Sequence, residues 1–212
     1  MTPEALRSLS EADPVMGRLI RAIGPCTLEP EPRRTPFESL VRAVAHQQLH
    51  GRAAETILGR FIDRFPGRRF PRPEDLQALT DAELRGFGFS ASKTAALRDI
   101  AAKALDGTIP TSRRIRGLPD EEIIARLSAC RGVGRWTVEM LLIFKLGRPD
   151  VLPVDDLGVR EGFRVTHGLE AQPRPRELLA FGERWRPFRT TASWYLWRAA
   201  DAAKAAARRT KA

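Results

Sequence analysis

Two neighbouring carboxylates, Asp155 and Asp156, lie in Leu152–Arg160 (LPVDDLGVR), where an amphipathic helix begins. An acidic side chain at a helix start accepts backbone N–H groups that have no partner in the helix, and it faces the positive end of the dipole. One acid suffices for that role, so the pair leaves a second carboxylate for chemistry. The residues alone leave open which of the two caps and which reacts. Upstream, Leu127–Leu146 reads as two helices joined through Gly132, Val133 and Gly134, a helix-hairpin-helix pattern. Glycine at both hairpin positions admits positive φ and removes the Cβ atoms that hold a phosphate away. The amides opening the second helix add a partial positive charge. Such a hairpin grips nucleic-acid backbone without reading sequence, although glycine turns between helices also arise from packing alone. Cys26 and Cys130, with His46, His50 and His167 scattered, have no metal-ligand spacing, so no metal and no cofactor is expected. Both thiols are expected to be buried.

These groups need a scaffold, and 212 residues with 42% hydrophobic and 29% charged side chains suffice for one large domain or two small ones sharing a core. Lys and Arg number 36 against 26 Asp and Glu, a net charge of +10 that points to a polyanionic partner. The lysines are Lys93, Lys103, Lys145, Lys204 and Lys211, and the other basic residues are arginine, which suits forked contacts to phosphate. The apolar run Met140–Phe144 is closed by Lys145, far short of a bilayer span, so no membrane partner is expected. Glu4, Arg7, Glu11, Asp13 and Pro14 interrupt the segment where an export signal would need continuous apolar residues. The expected location is the bacterial cytoplasm and nucleoid.

Helical periodicity dominates, so the expected fold class is all-α. A first helix is expected over Leu6–Ile23, ended by Gly24 and Pro25. Next come Phe37–Ala45, a polar interruption over His46–Gly51, and a helix over Ala53–Phe65. Pro66–Pro73 is an arginine- and proline-rich loop, followed by Asp75–Arg85 with a break near Thr80. Ser90 or Ser92 caps Lys93–Leu105, and Asp106–Gly107 stops it. Pro110–Pro119 is basic and turn-rich. Asp120–Cys130 leads into the hairpin, and Leu178–Trp185 and Thr190–Ala207 close the chain before a basic tail at 208–212.

Gly132–Thr137 (GVGRWT), Leu152–Gly158 (LPVDDLG) and Trp185–Phe188 (WRPF) with Trp194 and Trp197 resemble the helix-hairpin-helix DNA glycosylase superfamily. Phe37–Gln48 (FESLVRAVAHQQ) and Phe87–Leu97 (FGFSASKTAAL) are similar to its 3-methyladenine DNA glycosylase II, AlkA-like, branch. The resemblance runs from about residue 37 to 200. It departs at the N-terminus, where only residues 1–36 precede Phe37 and the best-known bacterial enzyme of the branch carries a mixed α/β domain.

The resemblance implies two helical subdomains flanking an active-site cleft, with a short extension at 1–36 and the glycosylase domain at 37–207. It implies a monomer that acts on damaged double-stranded DNA and hydrolyses the glycosidic bond of alkylated purines. On this basis Asp156 is the catalytic carboxylate, and Asp155, its near rival, is expected to cap or support the helix. Trp136, Trp197 and Met140 line the base pocket, and Trp185 and Trp194 are left to core packing. Gly132, Val133, Gly134, Arg135 and Thr137 hold DNA backbone, and Gln47, Gln48 and Leu49 form a wedge in the minor groove. Trp136 also stands where strand-cleaving relatives carry a lysine, so lyase activity is not expected. A non-catalytic DNA-binding module would account for the charge and the glycines but not for Asp156 and Trp136.

Overall fold

The computed structural model describes residues 2–210, without the Thr210 side chain, and contains helices and connecting turns but no strand among the described residues. In chain order the helices are α1 (Pro3–Ala12), α2 (Pro14–Ile23), α3 (Pro36–His46), α4 (Gly51–Asp63), α5 (Pro73–Ala78) and α6 (Asp81–Gly86). They continue with α7 (Ala91–Leu105), α8 (Asp120–Ser128), α9 (Arg135–Phe144), α10 (Leu157–His167), α11 (Pro175–Gly182) and α12 (Arg189–Thr210). Short 3-10 turns occupy Ile115–Gly117 and Glu183–Trp185. The basic tail expected at 208–212 is helical through Thr210, and Lys211 and Ala212 lie outside the described residues.

The single helix expected over Leu6–Ile23 is two. Asp13 precedes Pro14, whose ring disfavours helical geometry in the residue before it, and Asp13 takes φ −146° and ψ 97°. Pro14 then opens α2 as its first residue, and Gly24 closes it at φ 85°. Elsewhere the stops and starts follow local chemistry. Thr35 caps α3 through Glu38 N–H, Ser90 rather than Ser92 caps α7, and Gly107 at φ 83° ends it. Thr80 and Glu83 form a reciprocal capping box that separates α5 from α6.

The chain divides into two compact units, Met1–Pro30 with Leu142–Ala212, and Glu31–Leu141. The residues expected as an extension, 1–36, therefore split between the two. In the first unit α12 packs on α10 and α2, around Leu9, Met16, Val159, Phe163, Leu178, Trp185, Tyr195 and Leu196. Trp185 and Trp194 both lie in this core, as expected. At Gly162 an added Cβ would lie 1.9 Å from the Leu196 carbonyl oxygen, so only glycine lets α10 and α12 come this close. The second unit sets α7 against α3 and α5. Phe61 is fully buried there, with the rings of Phe65, Phe70, Phe87 and Phe89 about it at 5.9–6.0 Å. Edge-to-face geometry of this kind adds specificity to simple burial.

Asp13 is a polar tie inside the first unit, only 3% exposed. Its Oδ1 caps α2 by accepting from Val15 and Met16 N–H, at 3.0 and 3.1 Å. Its Oδ2 pairs with His167 Nε2 at 3.1 Å and accepts from Trp185 Nε1 at 3.2 Å. Burial alone would raise its pKa, but the bonds from His167, Met16 and Trp185 hold the carboxyl below its ordinary value. A depressed native pKa gives stability that is present above the unfolded value near 4 and lost as the pH falls through the folded one. Asp13→Ala should lower unfolding free energy in urea by about 2–4 kcal/mol, because it removes the cap and strands the buried Trp185 donor. It should also flatten the loss of stability seen in the wild type below about pH 4.

Candidate active site

The carboxylate group belongs to the first unit. Asp156, at φ −71° and ψ 120°, is the N-cap of α10, and its Oδ1 accepts from Val159 N–H and from Trp197 Nε1–H, both at 2.8 Å. The cap is therefore Asp156 and not Asp155 as expected. A capping carboxylate must reach the amide of the third helical residue, and Asp156 stands in the last extended position before Leu157. Asp155 lies one residue further out and is exposed.

Trp197, expected as a wall of a base pocket, holds the carboxylate through its indole N–H and stacks on Phe144, with centroids 5.6 Å apart and planes at 25°. Gly158 makes this contact possible. A Cβ there would lie 2.9 Å from Trp197 Cδ1 and 3.1 Å from Asp156 Oδ1. Sequence reading gave no role to Gly158 or Phe144. The available signal for Gly158 was a glycine in the first turn of a helix, where it costs about 1 kcal/mol relative to alanine and so has to be explained by space.

The hairpin belongs to the second unit. Gly132 takes φ 76° as expected, but Gly134 does not take positive φ. Nothing lies within 4 Å of a Cβ built on Gly134, so its use is the open space it leaves at the mouth of α9. Val133 is buried and anchors the turn, leaving only its backbone to face a ligand. Thr137 is also buried, and it lines a cavity rather than the exposed surface expected for a phosphate contact. Arg135 is held by Glu121 through two bonds at 2.6 and 3.1 Å, and by Glu139 at 3.0 Å. These pairings, that with Glu121 foremost, raise its pKa, so it is a fixed cation at the helix start.

Two ties absent from the sequence reading fix the turn. Gln47 Nε2–H donates to the Gly132 carbonyl at 2.8 Å, and Arg131 N–H donates to Asp99 of α7 at 2.7 Å. Lys93 Nζ–H in turn donates to the Ala45 carbonyl at 2.7 Å, which binds α7 to the last turn of α3. The expected wedge thus divides. Gln47 is bonded to the hairpin, whereas Gln48 sits at φ 56°, a left-handed conformation rare outside glycine, and Leu49 is exposed. Such strain persists only where surrounding structure fixes it. Trp136, 46% exposed, borders a cavity of about 470 Å³ with Met140, Thr137, His46, Gln47 and Gln48.

Burial disfavours the thiolate form of both cysteines. Burial pushes the Cys130 thiol to about 11, and it raises that of Cys26, which is half-buried rather than fully buried as expected.

The family model for the HhH-GPD superfamily of base excision DNA repair proteins matches residues 41–187. That span holds Gln47–Leu49, the hairpin and both carboxylates. The chain belongs to the HhH-GPD superfamily. It is similar to DNA-3-methyladenine glycosylase 1 of Schizosaccharomyces pombe, with 43% identity over 193 residues that cover 90% of this chain and 84% of that protein. A solved structure of S. pombe 3-methyladenine DNA glycosylase in complex with abasic DNA superposes with a TM-score of 0.80 at 42% identity, covering 92% of this chain and 95% of that one. DNA-3-methyladenine glycosidase from Bacillus halodurans superposes with a TM-score of 0.84 at 32% identity, covering 94% and 89%. As an all-helical HhH-GPD protein, the chain has the glycosylase fold that its motifs implied.

Gly134 provides a clean test of the hairpin, because its surroundings accept a side chain without strain on the fold. Gly134→Val should leave thermal stability within about 0.5 kcal/mol of wild type. It should weaken binding to damaged and undamaged duplexes alike by about tenfold, as a lost backbone contact requires. Fluorescence anisotropy with both duplexes checks this, and unchanged affinity would leave the hairpin a packing turn.

Proposed function

We propose that this chain is a monofunctional DNA glycosylase that flips alkylated purines, such as 3-methyladenine and 7-methylguanine, out of duplex DNA and hydrolyses their N-glycosidic bond. The observation that carries the reading is the oriented Asp156 carboxylate, fixed by Val159 N–H and the Trp197 indole in a chain 43% identical over 193 residues to a DNA-3-methyladenine glycosylase. As the C1′–N bond breaks, its electron pair leaves with the base and positive charge builds on the sugar. An ionised carboxylate facing that charge lowers the barrier and orients the water whose oxygen bonds to C1′ and whose proton passes to the carboxylate and on to solvent. N3- and N7-alkylated purines are cationic before cleavage and depart as neutral bases, so no strong general acid is needed.

Trp136 is the side chain best suited to receive the base. Its exposed indole face offers stacking, and an electron-rich ring favours a cationic base over a neutral one. The hairpin amides hold backbone while Gln48 and Leu49 fill the gap left in the duplex. Absence of lyase activity follows from the amines. Trp136 occupies the position where strand-cleaving relatives carry a lysine, and Lys145, the nearest lysine in sequence, is buried. We further propose that the protein works as a monomer on chromosomal DNA in the cytoplasm.

Asp156→Asn should slow release of 3-methyladenine from methylated duplex by about 10²–10³-fold while duplex affinity is kept or improved. Asp155→Asn should cost little. Trp197→Phe keeps the ring and loses the indole N–H, so kcat should fall about tenfold at unchanged DNA affinity. Release of bases by Asp156→Asn at the wild-type rate would leave only the DNA-binding part of the reading. Separately, strand breaks should appear only after hot alkali, and borohydride should trap no protein–DNA adduct. A substantial adduct would mean that an amine reaches C1′ and that the enzyme is bifunctional.

A further inference from the structure

The second unit carries another cavity, of about 490 Å³, that neither base removal nor the hairpin uses. Its floor is apolar: Phe37 and Phe70 meet edge to face at 6.2 Å, and Pro71, Ile109, Pro110 and Ala104 complete it. Phe37 lies at the first turn of α3 and Gln47 just past its last, so the cavity is displaced along this helix from the wedge by about 15 Å. Ala104 likewise lies at the end of α7 away from Lys93, which is bonded to the last turn of α3.

The rim is strongly basic. Arg69 is tied to the buried Glu38 and to the Arg33 carbonyl, both at 2.8 Å, and Arg68 is paired with Asp75. Arg72, which also lines the cavity, is exposed, and its charge acts on Asp75 together with that of Arg68. Arg33 and Arg34, which lead directly into Thr35 on the wall, and Arg113 and Arg114, which follow Ser112 on the wall, are exposed with no carboxylate partner among the described residues. Three arginines therefore line an apolar cup, and four unpaired ones adjoin its wall residues in sequence, contributed in part by the two arginine- and proline-rich loops. The field selects a polyanion. The floor selects one that also brings an apolar side chain, which the phosphate face of a duplex does not. Proline-fixed walls reduce the ordering cost of binding.

We propose that this cup is a docking site for an acidic polypeptide segment of another protein, anchored by one aromatic or aliphatic side chain. The volume lies within the range of sites that enclose such a group, and complementary charge draws the segment in.

The test uses a fluorescein-labelled heptapeptide with a central phenylalanine flanked by acidic residues, and the same peptide with serine at the centre, read by anisotropy with the full chain. The phenylalanine peptide should bind saturably with a Kd of about 10–100 μM, and the serine peptide at least about tenfold more weakly. The combined variant Arg72→Ser, Arg113→Ser and Arg114→Ser should weaken the phenylalanine peptide about tenfold or more, with duplex DNA affinity and its salt dependence unchanged. Ala104→Met, which fills the cup, should remove the preference for phenylalanine. No saturable binding of the phenylalanine peptide up to about 1 mM would overturn the proposal. So would equal affinity for the serine peptide, which would reduce the cup to a general basic surface. A parallel loss of duplex affinity in the arginine variant would assign the face to DNA instead.

Discussion

The first unit depends on the close approach of α10 to α12. At Gly162 there is no room for even one carbon between the α10 backbone and the Leu196 carbonyl, since an added Cβ would lie 1.9 Å from that oxygen. The residue after Leu196 is Trp197, so the backbone approach sets where the indole arrives. One turn back along α10, Gly158 leaves the space in which that indole lies against Asp156. Two glycines four residues apart share a helix face, and here that bare stripe brings a tryptophan donor to a carboxylate. The opposite end of α10 is held as firmly, since His167 bonds to Asp13, which also caps α2 and takes the Trp185 N–H. Asp156 is thus positioned by a helix fixed at both termini.

The second unit solves a related problem with hydrogen bonds instead of shape. A hairpin that presents its backbone to a ligand has few side chains of its own to stabilise it, so its support comes from outside. Asp99 takes the Arg131 N–H and Gln47 reaches the Gly132 carbonyl. Because Gln47 is tied down, the chain reverses over the next residues, and Gln48 is left in a left-handed conformation beside the exposed Leu49. For the wedge role proposed for it, a strained, exposed turn held by a rigid neighbour has less ordering cost to meet than a loop that must order itself on binding.

Net charge alone says little about where this protein meets its partners. Much of the arginine is engaged locally: Arg135 with Glu121, Arg164 with Glu161, Arg174 with Glu177, and Arg186 and Arg189 with Asp150. Such pairs are solvated or partly buried and leave little field beyond them. What remains is uneven, and the border of the Phe37–Phe70 cup is one place where unpaired guanidinium groups gather.

Sequence alone determined the helical class, most helix limits, the hairpin and the carboxylate pair, because each is written in residues that are near neighbours. Capping residues, glycine stops and apolar spacing act within one or two turns. The break at Asp13–Pro14 was of the same kind, a steric rule acting on one residue, and could have been read. The resemblance to DNA glycosylases rested on equally local motifs. Tertiary structure decided which of Asp155 and Asp156 faces the α10 amides, and that Trp197 lies against the carboxylate across 41 residues of chain. It decided that Gln47 supports the hairpin instead of standing free, and that Arg135 is held by Glu121. Apart from the Asp156 cap, which spans three residues, these contacts join residues far apart in sequence, and their geometry follows from where whole helices pack. No local pattern encodes a distance between two helices; the space left by Gly162 does.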